Sequence, residues 1–315
     1  TTGTPVIIPY TQKDVDDWAT LFKRCYEIAG ITNKDRIQIT PGYGLWTAGI
    51  GFQLGAEKLG AMTIPMGPGN TAKQIQFMED MESTVICATS SYALLLAEEI
   101  EKRGVGARIA NELGVELYDI YGLTEVYGPG IAINCEYNTG MHYFDDYLYF
   151  EIIDPKTGKV LPDGELGELV ITTLQKEGAP LIRYRTHDLT RKIPDDIPCP
   201  CGRKLPRIDV ILGRTDDMVK VHGVNMFPGQ IDDILKEIEG ASSEYQVFID
   251  HENGKDKITV FVETTLVPEE RKNFEKTLKD TFKSRINIGI IPKAVEVGDL
   301  PRSEKKATRI YDYRY

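Results

Sequence analysis

The chain has 315 residues, enough for one large domain and one small one. Its 48 acidic and 37 basic residues leave a net charge of −11, a poor balance for nucleic acid or anionic membrane as the main partner. No apolar run approaches membrane-spanning length and no signal peptide is recognisable, and five cysteines in so long a chain suit a reducing cytoplasm, where clustered Cys suggests metal.

The first helix is expected over 14–29, where Trp18, Leu21, Phe22 and Cys25 fall on one apolar stripe. A strand at 36–40 runs into P-G-Y-G. Residues 45–59 alternate Gly49, Gly51 and Gly55 with apolar residues and read as a closely packed helix. A strand at 61–65, a loop M-G-P-G-N, a helix N-capped by Thr71, a strand at 84–88 and a helix over 90–103 follow. This alternation predicts a doubly wound parallel α/β sheet.

An apolar run at 115–120 leads as a strand into D-I-Y-G-L-T-E-V-Y-G-P. Gly122 is expected to break it and leave Tyr121, Thr124 and Glu125 at its C-terminal end, where open α/β sheets bind ligands. Tyr121 offers a ring face for a base, Thr124 a hydroxyl for phosphate and Glu125 an oxygen ligand for Mg²⁺. The plainer reading is an ordinary strand exit with a solvated Glu. From Gly130 the pattern turns to β, with strands at 131–135, 147–153 and 166–173 and closing segments at 181–189 and 207–212. A third stretch from Gly213 reads as a small α+β domain, with helices over 228–239 and 268–287 around a strand pair.

Four patches occur in order: T-T-G-T-P at the start, Y-G-L-T-E, Y-R-T-H-D at 184–188 and G-R-T-D-D at 213–217. L-P-R-S-E-K-K closes the series at 300–306. Together they resemble the adenylate-forming acid–CoA ligases. Tyr43, Gly44 and Leu45 in G-Y-G-L, G-N-T-x-x-Q-I-Q and C-P-C-G point to the phenylacetate–CoA ligase family. The resemblance implies a large adenylation domain over 1–213, doubly wound α/β with a β-rich subdomain, and a small mobile α+β lid over 214–315. It implies ATP, Mg²⁺ and CoA, with an acyl-adenylate between two half-reactions. Thr1, Thr2 and Gly3 would wrap phosphates with backbone N–H groups. Asp119, Tyr121, Gly122 and Thr124 would line the nucleotide, and Glu125 would hold Mg²⁺. Asp188 would accept the ribose hydroxyls and Arg214 would reach ribose or phosphate. Lys306 would contact the carboxylate and the α-phosphate, with Lys305 beside it as the alternative. Asp216 would be the hinge, Gly223 would let pantetheine approach, and Tyr43, Gly44 and Leu45 would form a slot for an aryl acid. The family also implies a homodimer. Against its pattern the chain lacks an N-terminal region and a segment near 104–107.

A separate reading comes from Cys199-Pro200-Cys201-Gly202, half a zinc knuckle. With Cys135 and His142 it would complete a Cys₃His structural Zn²⁺ site, against buried, unpaired thiols. Cys25 and Cys87 have no partners by spacing and read as core. Two rival functions stand beside the ligase: a synthetase that adenylates a coenzyme without a thioester step, and an inactive zinc-stabilised scaffold.

Overall fold

Helix α1 (Gln12–Ile28) starts at Thr11, whose side chain accepts from the Asp14 backbone N–H while the Asp14 carboxylate accepts from Thr11 N. Trp18, Leu21, Phe22 and Cys25 are all buried, as the stripe requires. They pack on α2 (Ala48–Leu59), and its glycines have a steric reason: a Cβ at Gly51 would lie 2.4 Å from the Trp18 and Phe22 rings, and one at Gly55 would lie 2.3 Å from Phe22 Cβ. The structure is a computed structural model that describes all residues but 1–6, 45–47, 103–115, 216–218, 222–223, 227, 253–254, 302–308 and 315.

The described residues form two units, Pro5–Thr186 with Thr190–Val210, and Ile211–Tyr315 with His187–Leu189. In the first, strands β1 (Arg36–Ile39), β2 (Met62–Pro65) and β3 (Val85–Cys87) make a parallel sheet in the order β2-β1-β3. Helices α3 (Thr71–Asp80) and α4 (Ser90–Lys102) continue the alternation. One cap differs from expectation. Thr71 is the first helical residue, and Asn70 is the cap, at φ 48°, with its side chain accepting from Lys73 N. Asn tolerates this left-handed backbone and offers an amide oxygen to the helix end.

The rest of this unit is β. Strands β4 (Ile120–Leu123), β5 (Gly128–Asn134) and β6 (Met141–Tyr143) are joined by β10 (Lys192–Ile193) and β11 (Arg207–Ile208) in the antiparallel order β10-β11-β6-β5-β4. Strands β7 (Leu148–Ile153) and β8 (Gly167–Thr173) pair antiparallel, with β9 (Tyr184–Thr190) beside β8. Gly122 does not break its strand as expected. It continues β4 opposite Pro129, after a register shift between Tyr121 and Gly122. The D-I-Y-G-L-T-E stretch is therefore one arm of an antiparallel hairpin, not the end of a parallel strand.

In the second unit β12 (Gly213–Arg214) pairs with Leu189 and Asp188. A hairpin of β13 (Val219–Val221) and β14 (Val224–Met226) leads to α5 (Pro228–Lys236). Strands β15 (Ala241–Glu252) and β16 (Lys255–Thr264) form a long antiparallel pair. β17 (Ile291–Val295) lies parallel to β16, and β18 (Ile310–Asp312) parallel to β15. Alternate residues Val247, Ile249, Val260 and Val262 face Ile231 and Ile234 of α5 and Phe274, Leu278 and Phe282 of α6 (Pro268–Ile286) in one core.

Candidate functional site

In the first unit the hairpin β4–β5 and its turn carry Tyr121, Thr124 and Glu125. Its turn begins at Thr124 and closes with Val126 N donating to Leu123 O at 3.1 Å. Gly122 is required there, since a Cβ would lie 2.1 Å from Gly128 O and 2.5 Å from Pro129 Cα. Tyr121, Thr124 and Glu125 are half-buried, whereas Asp119 is exposed and its N–H donates to the Asn134 side chain at 2.7 Å. Helix α1 holds the far arm: Trp18 Nε1 donates to Pro129 O at 2.9 Å.

Two residues that sequence reading misses support this turn. Lys176 is only 5% exposed. Its ammonium donates to Val126 O and lies 3.4 Å from Glu125 O. It sits over the rings of Tyr10 at 4.4 Å and Tyr127 at 5.3 Å. Burial lowers the Lys176 pKa to about 8, although the Asp14 and Glu125 charges work against that. Tyr10 OH reaches Thr124 O at 3.5 Å. Asp14 is the second. It is fully buried, and its carboxylate accepts from Glu177 N at 2.7 Å, Gly178 N at 2.7 Å and Thr11 N at 2.9 Å. The capping-box spacing of Thr11 and Asp14 is a signal that could find Asp14. A lone Lys at a strand exit reads as solvated, and nothing local marks Lys176 as buried.

Tyr43 packs against the core cluster of Tyr26, Ile37, Ile39 and Cys87, and Gly44 is exposed. The Tyr43 hydroxyl is buried and has no hydrogen-bond partner among the described residues. The Gln74 side chain of G-N-T-x-x-Q-I-Q is buried. Its amide donates to Gly67 O at 2.7 Å and accepts from Gln38 at 2.7 Å, so it pins the preceding loop.

The Y-R-T-H-D strand is anchored by Arg185, whose Nε donates at 2.9 Å to the carboxylate of Glu168, itself fully buried. In the second unit, Arg214 Nη1 donates to Asp188 Oδ1 at 2.9 Å across the β9–β12 register. His187 stands at φ 67°, in the left-handed region. Thr215 N donates to its carbonyl at 2.7 Å, and its Nδ1 lies 3.0 Å from the Thr215 hydroxyl. Thr1, Thr2, Gly3, Leu45, Asp216, Gly223, Lys305 and Lys306 lie outside the described residues. The flanks of 302–308 are described: Leu300 N donates to the buried Glu263 carboxylate at 3.0 Å, and Arg309 donates to Asp232 at 3.2 Å and to Ser243 O at 2.6 Å.

The expected metal cluster assembles. Cys135, just after β5, His142 on β6, and Cys199 and Cys201 before β11 bring their ligand atoms within 4.8 Å of one another. Cys135 and Cys199 sulfurs are 3.5 Å apart, and Cys201 Sγ lies 3.5 Å from His142 Nε2. Zn–S bonds of about 2.3 Å in a tetrahedron would set these atoms roughly 3.8 Å apart, so the donor set and spacing fit Zn²⁺. His142 Nδ1 is 3.4 Å from Leu205 O, which turns Nε2 to the cluster. Burial lowers the His142 pKa and so favours the neutral imidazole that binds metal. Cys25 and Cys87 are buried in the core, as their spacing suggests. Among the described residues no helix is long and apolar enough to cross a membrane.

Against known proteins, the model of the AMP-binding enzyme C-terminal domain family matches residues 223–314. The chain is 40% identical to phenylacetate-coenzyme A ligase of Escherichia coli (strain K12) over 342 positions, covering 100% of this chain and 77% of that protein. It is 40% identical over 341 positions to phenylacetate-coenzyme A ligase of Pseudomonas putida, covering 100% of this chain and 76% of that one. Among solved structures, 2-hydroxyisobutyryl-CoA ligase, in the postadenylation state in complex with 2-HIB-AMP, matches at TM-score 0.88 and 26% identity, over 100% of this chain and 73% of that one.

Proposed function

The chain belongs to the phenylacetate–coenzyme A ligase family of adenylate-forming enzymes, and on that premise we propose that it joins phenylacetate, or a closely related aryl acid, to CoA with cleavage of ATP to AMP and pyrophosphate. The observation that carries this reading is 40% identity along the whole chain to an enzyme named for that ligation. The hairpin that presents Tyr121, Thr124 and Glu125 together supports it. The matching alignment runs over 342 positions against a chain of 315 residues. The relatives therefore carry residues that this chain lacks.

In the first half-reaction an acid carboxylate oxygen attacks the α-phosphorus of ATP, the bond to pyrophosphate breaks, and an acyl-adenylate forms. Thr1, Thr2 and Gly3 donate to the phosphates, and the Thr124 hydroxyl adds a further contact. Tyr121 stacks on the base, Gly122 gives the backbone close approach, and Asp119 lines the same edge. Asp188 accepts from the ribose hydroxyls, with Arg214 fixing its orientation. Glu125 would hold Mg²⁺, which when bound would supply counter-charge to the phosphates. Lys306 offsets the charge that develops between carboxylate and α-phosphate. In the second half-reaction the CoA thiolate attacks the acyl carbonyl and the bond to AMP breaks. Residues 1–213 act as the adenylation domain and 214–315 as a lid that turns about Asp216. Gly223 then admits pantetheine. Tyr43, Gly44 and Leu45 form the acid slot.

Cys135, His142, Cys199 and Cys201 would hold a structural Zn²⁺, which would pin the loops of the β-rich region. Five unpaired cysteines suit the cytoplasm. A homodimer is proposed as the assembly, to be read by light scattering.

The test is pyrophosphate release with ATP, Mg²⁺ and a panel of carboxylic acids, each with and without CoA, on the wild type and on Lys306→Ala. Acid-dependent release that needs Lys306, with thioester formed when CoA is present, supports the ligase. Release with no CoA consumed favours a coenzyme-adenylating synthetase. No release with any acid leaves the zinc-bearing scaffold.

A further inference from the structure

Lys176 is a buried cation that the ligase chemistry above does not use. A surface lysine keeps its ammonium in water, and burying one without partners is costly. Here the hydrogen-bond acceptors among the described residues belong to a single turn. The ammonium donates to Val126 O, approaches Glu125 O at 3.4 Å, and is covered by the ring faces of Tyr10 and Tyr127. Tyr127 is itself fully buried. The loop that delivers Lys176 is fixed one residue later, where Glu177 N and Gly178 N donate to Asp14 at 2.7 Å each. There is no slack at that anchor, because a Cβ on Gly178 would lie 2.6 Å from Pro9 O and 2.8 Å from Asp14 Oδ2.

We infer that Lys176 is a positioning residue for the Thr124–Glu125 turn: held by the α1 cap through Asp14, it fixes the carbonyls of Glu125 and Val126 and so sets where the Glu125 carboxylate stands for Mg²⁺. A four-residue turn has several φ/ψ arrangements, and a change of φ/ψ at Glu125 redirects its Cα–Cβ bond and with it the carboxylate. A cation that binds two successive carbonyls selects one arrangement. Catalytic groups must stand within about 0.5 Å of the productive geometry, so loosening this turn acts on magnesium binding. Removing the ammonium also leaves the Glu125 and Val126 carbonyls without their donor, which lowers stability in either case. A stability role alone predicts a lowered thermal midpoint with unchanged Mg²⁺ dependence, whereas a positioning role predicts a Mg²⁺ shift as well.

The inference rests on Glu125 as the magnesium ligand, so the experiment carries Glu125→Gln beside Lys176→Met and Lys176→Gln, the last keeping an N–H donor without the charge. Pyrophosphate release is followed against free Mg²⁺ and against ATP, and thermal midpoints are recorded for every variant. Lys176→Met is expected to need about tenfold or more Mg²⁺ than wild type for half-maximal rate, with KM for the acid unchanged at temperatures where the variant is folded. Lys176→Gln should fall between them, and it carries the test if the methionine variant does not fold. Unchanged Mg²⁺ dependence in both Lys176 variants, with Glu125→Gln impaired, overturns the role of Lys176 alone. A lowered thermal midpoint with an evenly reduced kcat and no Mg²⁺ shift also overturns it, in favour of a structural lysine. Wild-type Mg²⁺ dependence in Glu125→Gln removes the magnesium ligand itself, and the inference with it.

Discussion

Gly178 N donates to Asp14 Oδ2 at 2.7 Å, joining the loop after β8 to the first turn of α1. The same carboxylate also takes the N–H groups of Glu177 and Thr11. Burial alone would raise the Asp14 pKa, but these backbone hydrogen bonds outweigh it and hold the pKa below its ordinary value of 3.8. The sign follows from linkage. A carboxylate depressed in the folded state contributes stability that is present above pH 3.8 and lost as pH falls through the folded value. Asp14→Asn should cost about 1.5–3 kcal/mol at neutral pH. Below pH 4 its urea midpoint should fall less steeply than wild type. Parallel acid limbs in urea titrations from pH 6 to pH 2.5 would count against Asp14 as the source.

The Cys135, His142, Cys199 and Cys201 cluster predicts one zinc per chain by elemental analysis. A structural site of this kind contributes folding energy directly. Chelation at neutral pH, or Cys199→Ser, should lower the thermal midpoint by about 5 °C or more, corresponding to roughly 2 kcal/mol. KM for ATP should stay near wild type at temperatures where the variant is folded, since Cys135 of the cluster follows the Asn134 end of β5 whereas the 124–127 turn precedes its Gly128 end. Stoichiometric protein without zinc and with an unchanged midpoint under chelation would reject the site.

How far these features are legible in the sequence depends on whether their cause is local. Helix α1 is legible because Trp18, Leu21, Phe22 and Cys25 repeat at helical spacing. The glycines of α2 are legible as close packing, although only the structure identifies Trp18 and Phe22 as what they meet. The metal cluster is legible because its ligand types are rare and two of them, Cys199 and Cys201, are separated by a single residue. The hairpin at 120–134 is not. Gly122 reads as a strand breaker, yet the demand on it comes from Gly128 and Pro129 across the strand pair. The burial of Lys176 is not legible either, because its partners Tyr10, Tyr127 and Asp14 come from segments distant in sequence. The Arg185–Glu168 pair lies between, with both residues inside readable strands and the partnership visible only in three dimensions.

Gly122→Ala tests the hairpin. The added Cβ would meet Gly128 O at 2.1 Å and Pro129 Cα at 2.5 Å. Both are backbone atoms that cannot rotate aside, so the strands must separate or shift register. Overpacking of this kind costs about 1–3 kcal/mol, read as a lower urea midpoint at unchanged m-value. Because the strain sits one residue from Tyr121 and two from Thr124, KM for ATP should rise along with it. A variant with wild-type stability and wild-type KM would show that the strands do not approach as closely as described.

Arg214 Nη1 donates to Asp188 Oδ1 at 2.9 Å, and the two residues are directly paired in the β9–β12 register. An arginine held this way aims the carboxylate as well as countering its charge. If Asp188 accepts from the ribose, Asp188→Asn weakens those hydrogen bonds and the ion pair together, and KM for ATP should rise about ten- to hundredfold. AMP should lose affinity by a similar factor, because the ribose is common to both. KM for the acid should not move, since the acid lacks a ribose. Arg214→Lys keeps the charge but loses the planar donor geometry, so it should shift ATP in the same direction by a smaller factor. The decisive comparison is ATP against AMP. Equal losses assign the pair to the ribose, whereas a loss confined to ATP reassigns Arg214 to the phosphates and leaves Asp188 as its anchor.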